Sequence, residues 1–125
     1  MLELNGVQWY IKFVQPYDKS LVRPNGTLTI GMCDSYTRTI YINETLQGAI
    51  LKKVLCHELT HAAMFSYGIL LSHDEEEILA DLIATYGEEI IYITNKIFNK
   101  LKGRDYKSLP FLHFWNKNFQ DLISF

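Results

Sequence analysis

The 125-residue sequence predicts a small α+β domain in which an antiparallel sheet of about three strands packs on two helices. Three observations lead there. Residues 7–14 and 27–43 are rich in β-branched and aromatic side chains and are interrupted by turn signals. Residues 45–67 carry apolar side chains at helical spacing. A capping sequence at Ser72 opens a second helical pattern that runs to about residue 100.

Taken in chain order, Val7 to Val14 alternates loosely between apolar and polar residues and is bounded by Pro16 and Asp18, which reads as a strand. Arg23-Pro24-Asn25-Gly26 is a turn signal. Thr27 to Cys33 and Thr37 to Asn43 then read as two strands around Asp34-Ser35-Tyr36, most simply an antiparallel hairpin. Along the second of these, Ile40 and Ile42 point one way and Thr39 and Tyr41 the other.

The first helix places Ile50, Leu51, Val54, Leu55, Leu59, Ala62 and Phe65 at helical spacing, the pattern of a buried helix. Asn43 or Thr45 suits its N-cap, and Gly68 its C-terminal stop. Ser72-His73-Asp74-Glu75 is an S-x-x-E capping box for the second helix, in which Ile78, Leu79, Leu82, Ile83 and Tyr86 form an apolar stripe. That helix is expected to continue to a stop at Gly103, with Gly87 a place for a bend, and its acids lie early and its lysines late, as the helix dipole favours. The aromatic C-terminal segment, Leu109 to Phe119, reads as a short helix begun by Ser108 and Pro110. It is expected to pack on the core; the alternative is a surface for a protein partner or for self-association. His113 within it is not expected to be a ligand.

At this length one domain over residues 1–125 is expected, large enough to bury roughly two-thirds of the surface its unfolded chain would expose. A net charge of −2 supplies no basic stripe, so nucleic-acid binding is not expected. The start lacks a basic n-region with an apolar core, and no run of 18 apolar residues exists, so no membrane partner is expected and the cytoplasm is the expected compartment. Cys33 and Cys56 form neither a C-x-x-C pair nor a disulfide framework and read as small core residues.

The chemistry lies in His57-Glu58-Leu59-Thr60-His61. Histidines at i and i+4 sit one helical turn apart on one face, so both imidazoles can reach a single tetrahedral zinc ion. Glu58, about 100° round the helix from His57, borders that face and can reach a zinc-activated water without ligating the metal, the place of a general base. A third protein ligand is still needed. Glu77 and Asp81, four residues apart on the second helix, share one face beside its apolar stripe. Glu77 can complete a His2Glu site, while Asp81 can accept the free ring N–H of a liganding histidine and fix its tautomer. Glu75 and Glu76 read instead as a solvated first turn favoured by the helix dipole.

The pairing of H-E-x-x-H with a later E-x-x-x-D helix resembles the gluzincin branch of zinc metallopeptidases. The string Glu77-Ile78-Leu79-Ala80-Asp81-Leu82-Ile83-Ala84 is similar to the E-x-x-A-[ND]-x-[FI]-A signature of ImmA/IrrE-like minimal metallopeptidases, which are common in bacteria, mobile elements and phages. The likeness covers about residues 27–100. It implies a small zincin-like fold, zinc held by His57, His61 and Glu77, and Glu58 as the base. The connection from His61 to Glu77 is short, and no Leu-Met-Pro follows the second motif as it often does in that family.

The expected function is therefore a zinc-dependent metallopeptidase, a hydrolase that cleaves a peptide or protein substrate with Glu58 as general base. Tyr67, His73 and Tyr36 are candidate donors to the developing oxyanion. The free edge of the hairpin near Tyr36–Tyr41 is a candidate place for an extended substrate to add as a strand. Two alternatives stand beside this reading. One is a catalytically silent zincin used as a binding module. The other is a SprT-like protease, a family whose third ligand is histidine, with His73 in that part.

Overall fold

The computed structural model describes residues 1–102. The chain divides into two compact units, Met1–Glu88 and Glu89–Phe125. The aromatic segment Leu109 to Phe119, with Ser108, Pro110 and His113, lies outside the described residues, as does the expected stop at Gly103.

The first unit is α+β, with a four-stranded mixed sheet where about three antiparallel strands were expected. Strands β1 (Leu2–Leu4), β2 (Val7–Val14), β3 (Gly31–Asp34) and β4 (Thr39–Asn43) lie in the order β1-β2-β4-β3. The added strand β1 is folded onto β2 by a two-residue turn at Asn5 and Gly6, whose φ angles of 50° and 77° both lie in the left-handed region. Asn-Gly is the pair such a turn favours, so this hairpin had a local signal that the alternation pattern alone did not expose.

The β3–β4 hairpin is antiparallel as expected, with Cys33 opposite Ile40, but its first strand begins at Gly31 rather than Thr27. Between Leu21 and Gly31 the chain is occupied by turns instead, closed by an isolated bridge from Val22 to Leu28. The other side of β4 pairs in parallel with β2, Ile11 opposite Ile40 and Phe13 opposite Ile42. The strand that leads toward the first helix is therefore central, and the free edge on this side of the sheet belongs to β3. The expectation of an open edge running to Tyr41 is corrected accordingly: Tyr41 lies between Lys12 and Met32. The physical reason is burial. Ile40 and Ile42 are both fully buried, and a central position encloses such a strand better than an edge does.

Helix α1 (Gly48–Ser66) packs across β3 and β4. Trp9, Ile40, Ile42 and Ala62 form the centre of the core, flanked by Val54, Leu55 and Leu59 from α1. Ile50 and Phe65, expected on the buried stripe, are about half exposed because they lie at the margins of that contact. The Trp9 indole N–H donates to Ser66 Oγ at 2.8 Å, and Ser66 Oγ donates to the Ala62 carbonyl at 2.7 Å. This buried chain of bonds anchors the end of α1 to β2. The helix begins later than expected: Gln47 is the N-cap, while Asn43 closes a turn by accepting from Thr45 N and Oγ1. Gly68, with φ of 66°, follows the helix end.

Helix α2 (His73–Leu101) opens on the expected capping box, with Ser72 N donating to Glu75 Oε1 at 3.1 Å and Glu75 N donating to Ser72 Oγ at 3.2 Å. Hydrogen bonding of Ser72 to the Glu75 carboxyl holds it below the usual carboxylate range. Within the first unit Ala80 is the fully buried residue of this helix, whereas Ile78, Leu82 and Tyr86 of the expected stripe are largely exposed. No helix among the described residues is long and apolar enough to cross a membrane.

Candidate metal centre

His57 and His61 project from α1 toward α2, and Glu77 projects back from the second turn of α2. His57 Nε2 and His61 Nε2 are 3.2 Å apart. Glu77 Oε2 lies 3.3 Å from the first and Glu77 Oε1 2.9 Å from the second. Ligands around a tetrahedral zinc with bonds of about 2.0–2.1 Å are about 3.3 Å apart, so these separations fit the edges of such a site. Among the described residues, His57, His61 and Glu77 are the group placed to hold a metal ion.

The donor chemistry agrees with the spacing. His57 Nδ1 is 2.9 Å from Asp81 Oδ1, and His61 Nδ1 is 2.6 Å from Glu76 Oε1. In the tautomer that carries its proton on Nδ1, each histidine donates to the carboxylate behind it and presents Nε2 as a lone pair. In that tautomer two imidazole lone pairs and a carboxylate converge. That is a donor set a divalent cation can take.

Both histidines thus have a carboxylate behind them. For His57 it is Asp81, one helical turn beyond Glu77. For His61 it is Glu76, whose solvated-turn reading is corrected: its side chain is 30% exposed against 68% for Asp81, because it turns in toward α1. Three consecutive glutamates at a helix start look alike to the dipole argument. What separates them is the rotation of about 100° per residue, which aims Glu75 at Ser72, Glu76 at His61 and Glu77 at both histidines.

Glu58 lies on a neighbouring face of α1, buried under the edge strand β3. Val54 and Glu58, at i and i+4, both pack beneath Gly31. Burial raises the proton affinity of the Glu58 carboxyl, Glu77 adds to the rise, and His57, His61 and Arg23 oppose it. Glu58 therefore borders the cluster without belonging to it, with a carboxyl disposed to take up a proton.

The cluster and Glu58 open into a cleft of about 940 Å³, walled on one side by Gly31, Met32 and Cys33 of β3 and on others by Arg23 and the Ile69–Leu71 loop. His73, the first residue of α2, also lines this cleft but is outside the converging group. It precedes Glu77 by one turn, about 6 Å along the helix axis, and is exposed. Tyr36 is almost fully exposed at the β3–β4 turn, and neither it nor Tyr67 lines the cleft. Arg23 does line it, though sequence pattern offered no reason to single it out. Cys33 and Cys56 are free, and burial pushes the Cys33 thiol up to about 12. Comparison with protein families, with curated proteins and with solved structures finds no match to this chain.

Proposed function

We propose that the protein is a zinc-dependent metallopeptidase of the gluzincin type, similar to the ImmA/IrrE-like minimal enzymes. One observation carries the reading: two histidine Nε2 atoms and the Glu77 carboxylate converge within 2.9–3.3 Å, while a buried Glu58 stands beside them and ligates nothing. Zinc held there would supply the Lewis acidity that polarises a substrate carbonyl and makes water a nucleophile near neutral pH.

The protein's own groups divide the remaining work. Asp81 and Glu76 hold the histidine rings in one tautomer and one orientation. Glu58 takes a proton from the attacking water and passes it to the leaving amine, a task suited to a carboxyl whose proton affinity is raised by burial. The free edge of β3 lines the cleft and offers main-chain groups to an extended peptide. His73, at the cleft, is an available donor to a developing oxyanion.

The test pairs metal analysis with Glu58→Gln. Purified wild-type protein should hold about one zinc per chain and cleave an unfolded protein substrate. Glu58→Gln should keep the zinc and lose at least about a hundredfold in turnover, the scale expected of a general base. A variant that keeps wild-type turnover would refute the assignment of Glu58, and a zinc-loaded wild type without hydrolysis would favour a binding module.

A further inference from the structure

Among the described residues, Arg23 is the one permanently cationic side chain that lines the cleft. The local backbone holds its position closely. Arg23 N donates to the Thr27 carbonyl at 2.8 Å, and Gly26 N donates to the Arg23 carbonyl at 2.8 Å. Gly26 adopts φ of 85°, and Asn25 Oδ1 ties the far side of the turn by accepting from Thr27 N and Oγ1. Leu21, two residues earlier, is fully buried and roots the loop in the core.

The guanidinium has no comparable attachment. Its polar contact is Thr29 Oγ1 at 3.5 Å, in an exposed setting. Among the described residues no carboxylate lies within ion-pair distance of it. Thus the loop fixes where the side chain starts, and its charge acts on Glu58 only at a distance, with no carboxylate paired to it among the described residues. A guanidinium is always protonated and presents a planar fork of donors matched to a carboxylate.

We propose that Arg23 makes the cleft selective for peptides that bring a carboxylate to one position beside the cleaved bond. This rests on the peptidase reading and deepens it by naming a substrate class. The chemistry is shared by an aspartate or glutamate side chain and by a free C-terminus. The preference is confined to the reach of the one guanidinium, whose starting point the Arg23–Gly26 turn holds. A carboxylate placed elsewhere along the peptide does not meet that fork of donors.

The experiment reads binding, which needs no turnover, on zinc-loaded Glu58→Gln protein with and without Arg23→Gln. The probes are acetylated, amidated six-residue peptides of alanine and leucine carrying one glutamate at each position in turn. The uncharged parent and the parent with a free C-terminal carboxylate complete the set. The expected result is tighter binding by about tenfold for glutamate at one or two adjacent positions, or for the free C-terminus, abolished by Arg23→Gln while the uncharged parent changes less than about twofold.

A gain from internal glutamate assigns the site to acidic side chains, and a gain from the free terminus alone assigns it to chain ends. No carboxylate preference, or one that survives Arg23→Gln at full zinc content, overturns the proposal. An equal loss for every peptide does so too, since it would make Arg23 a general rather than a selective contact. If the preference is found and depends on Arg23 while the wild type cleaves none of these peptides, the peptidase reading fails and the carboxylate site stands.

Discussion

Gly31 sits directly over Glu58: a Cβ built on Gly31 would lie 3.1 Å from Glu58 Cγ, 3.3 Å from its Oε1 and 2.7 Å from Val54 Cγ1. The edge strand and the metal helix touch here with no room for a side chain, and that contact sets where the Glu58 carboxylate stands. Gly31→Ala should therefore keep zinc but reduce hydrolysis by tenfold or more, because the added methyl pushes Glu58 aside while His57, His61 and Glu77 lie on other faces. Overpacking of this kind costs about 1–3 kcal/mol, which a thermal melt would register. Full activity in the alanine variant would show that Glu58 is not positioned by this contact.

The two carboxylates behind the histidines should tune metal affinity without being ligands. Glu76→Gln and Asp81→Asn are each expected to weaken zinc binding by about 10–100-fold, measured by competition with a chromophoric chelator. Glu76 is the less exposed of the two and makes the shorter contact, 2.6 Å against 2.9 Å, so its loss should cost at least as much. An unchanged affinity in Glu76→Gln would mean that its approach to His61 does not orient the ring.

Metal-free protein should show the cost of burying Glu58. Its carboxyl binds a proton more tightly in the folded chain than in the unfolded one, mainly because burial disfavours the charged form. Stability from this group is thus complete below the ordinary glutamate range and is lost as pH rises through the elevated folded value. With zinc removed, Glu58→Gln should be more stable than wild type at neutral pH, and the difference should close as pH falls toward 4. Melting curves in the presence of chelator over that range would check it; a difference that grows on acidification would contradict the sign.

The bond from Trp9 to Ser66 ties the sheet to the end of the metal helix. Trp9→Phe removes a buried donor and some volume, and should lower stability by about 1–3 kcal/mol. Urea unfolding would measure the loss. Zinc affinity should change less than about threefold, because His61 and His57 lie about one and a half and two and a half turns away from Ser66.

Local patterns carried part of this structure and long-range pairing the rest. The capping box at Ser72, the stop at Gly68 and the β3–β4 hairpin depend on neighbours in sequence, and composition alone speaks for them. The order of the sheet does not. Nothing within Thr39–Asn43 says that its other side will meet β2 in parallel, since that partner lies some thirty residues earlier in the sequence. The Asn5-Gly6 turn was readable in principle, but only by weighing turn chemistry above strand length. At the site, the i and i+4 spacings of His57 with His61 and of Glu77 with Asp81 are fixed by helix geometry. The inward turn of Glu76 and the presence of Arg23 at the cleft depend on how α2 and the Arg23–Gly26 turn sit against α1, which no short window contains.

Zinc titration of metal-free wild type, Glu77→Ala and His73→Ala under one chelator competition bears most directly on the proposed centre. The wild type should bind one equivalent, Glu77→Ala should lose at least a hundredfold in affinity, and His73→Ala should stay within about threefold of wild type, as loss of a ligand exceeds loss of a supporting contact. An unaltered affinity in Glu77→Ala, or a collapse in His73→Ala, would contradict a centre built from His57, His61 and Glu77.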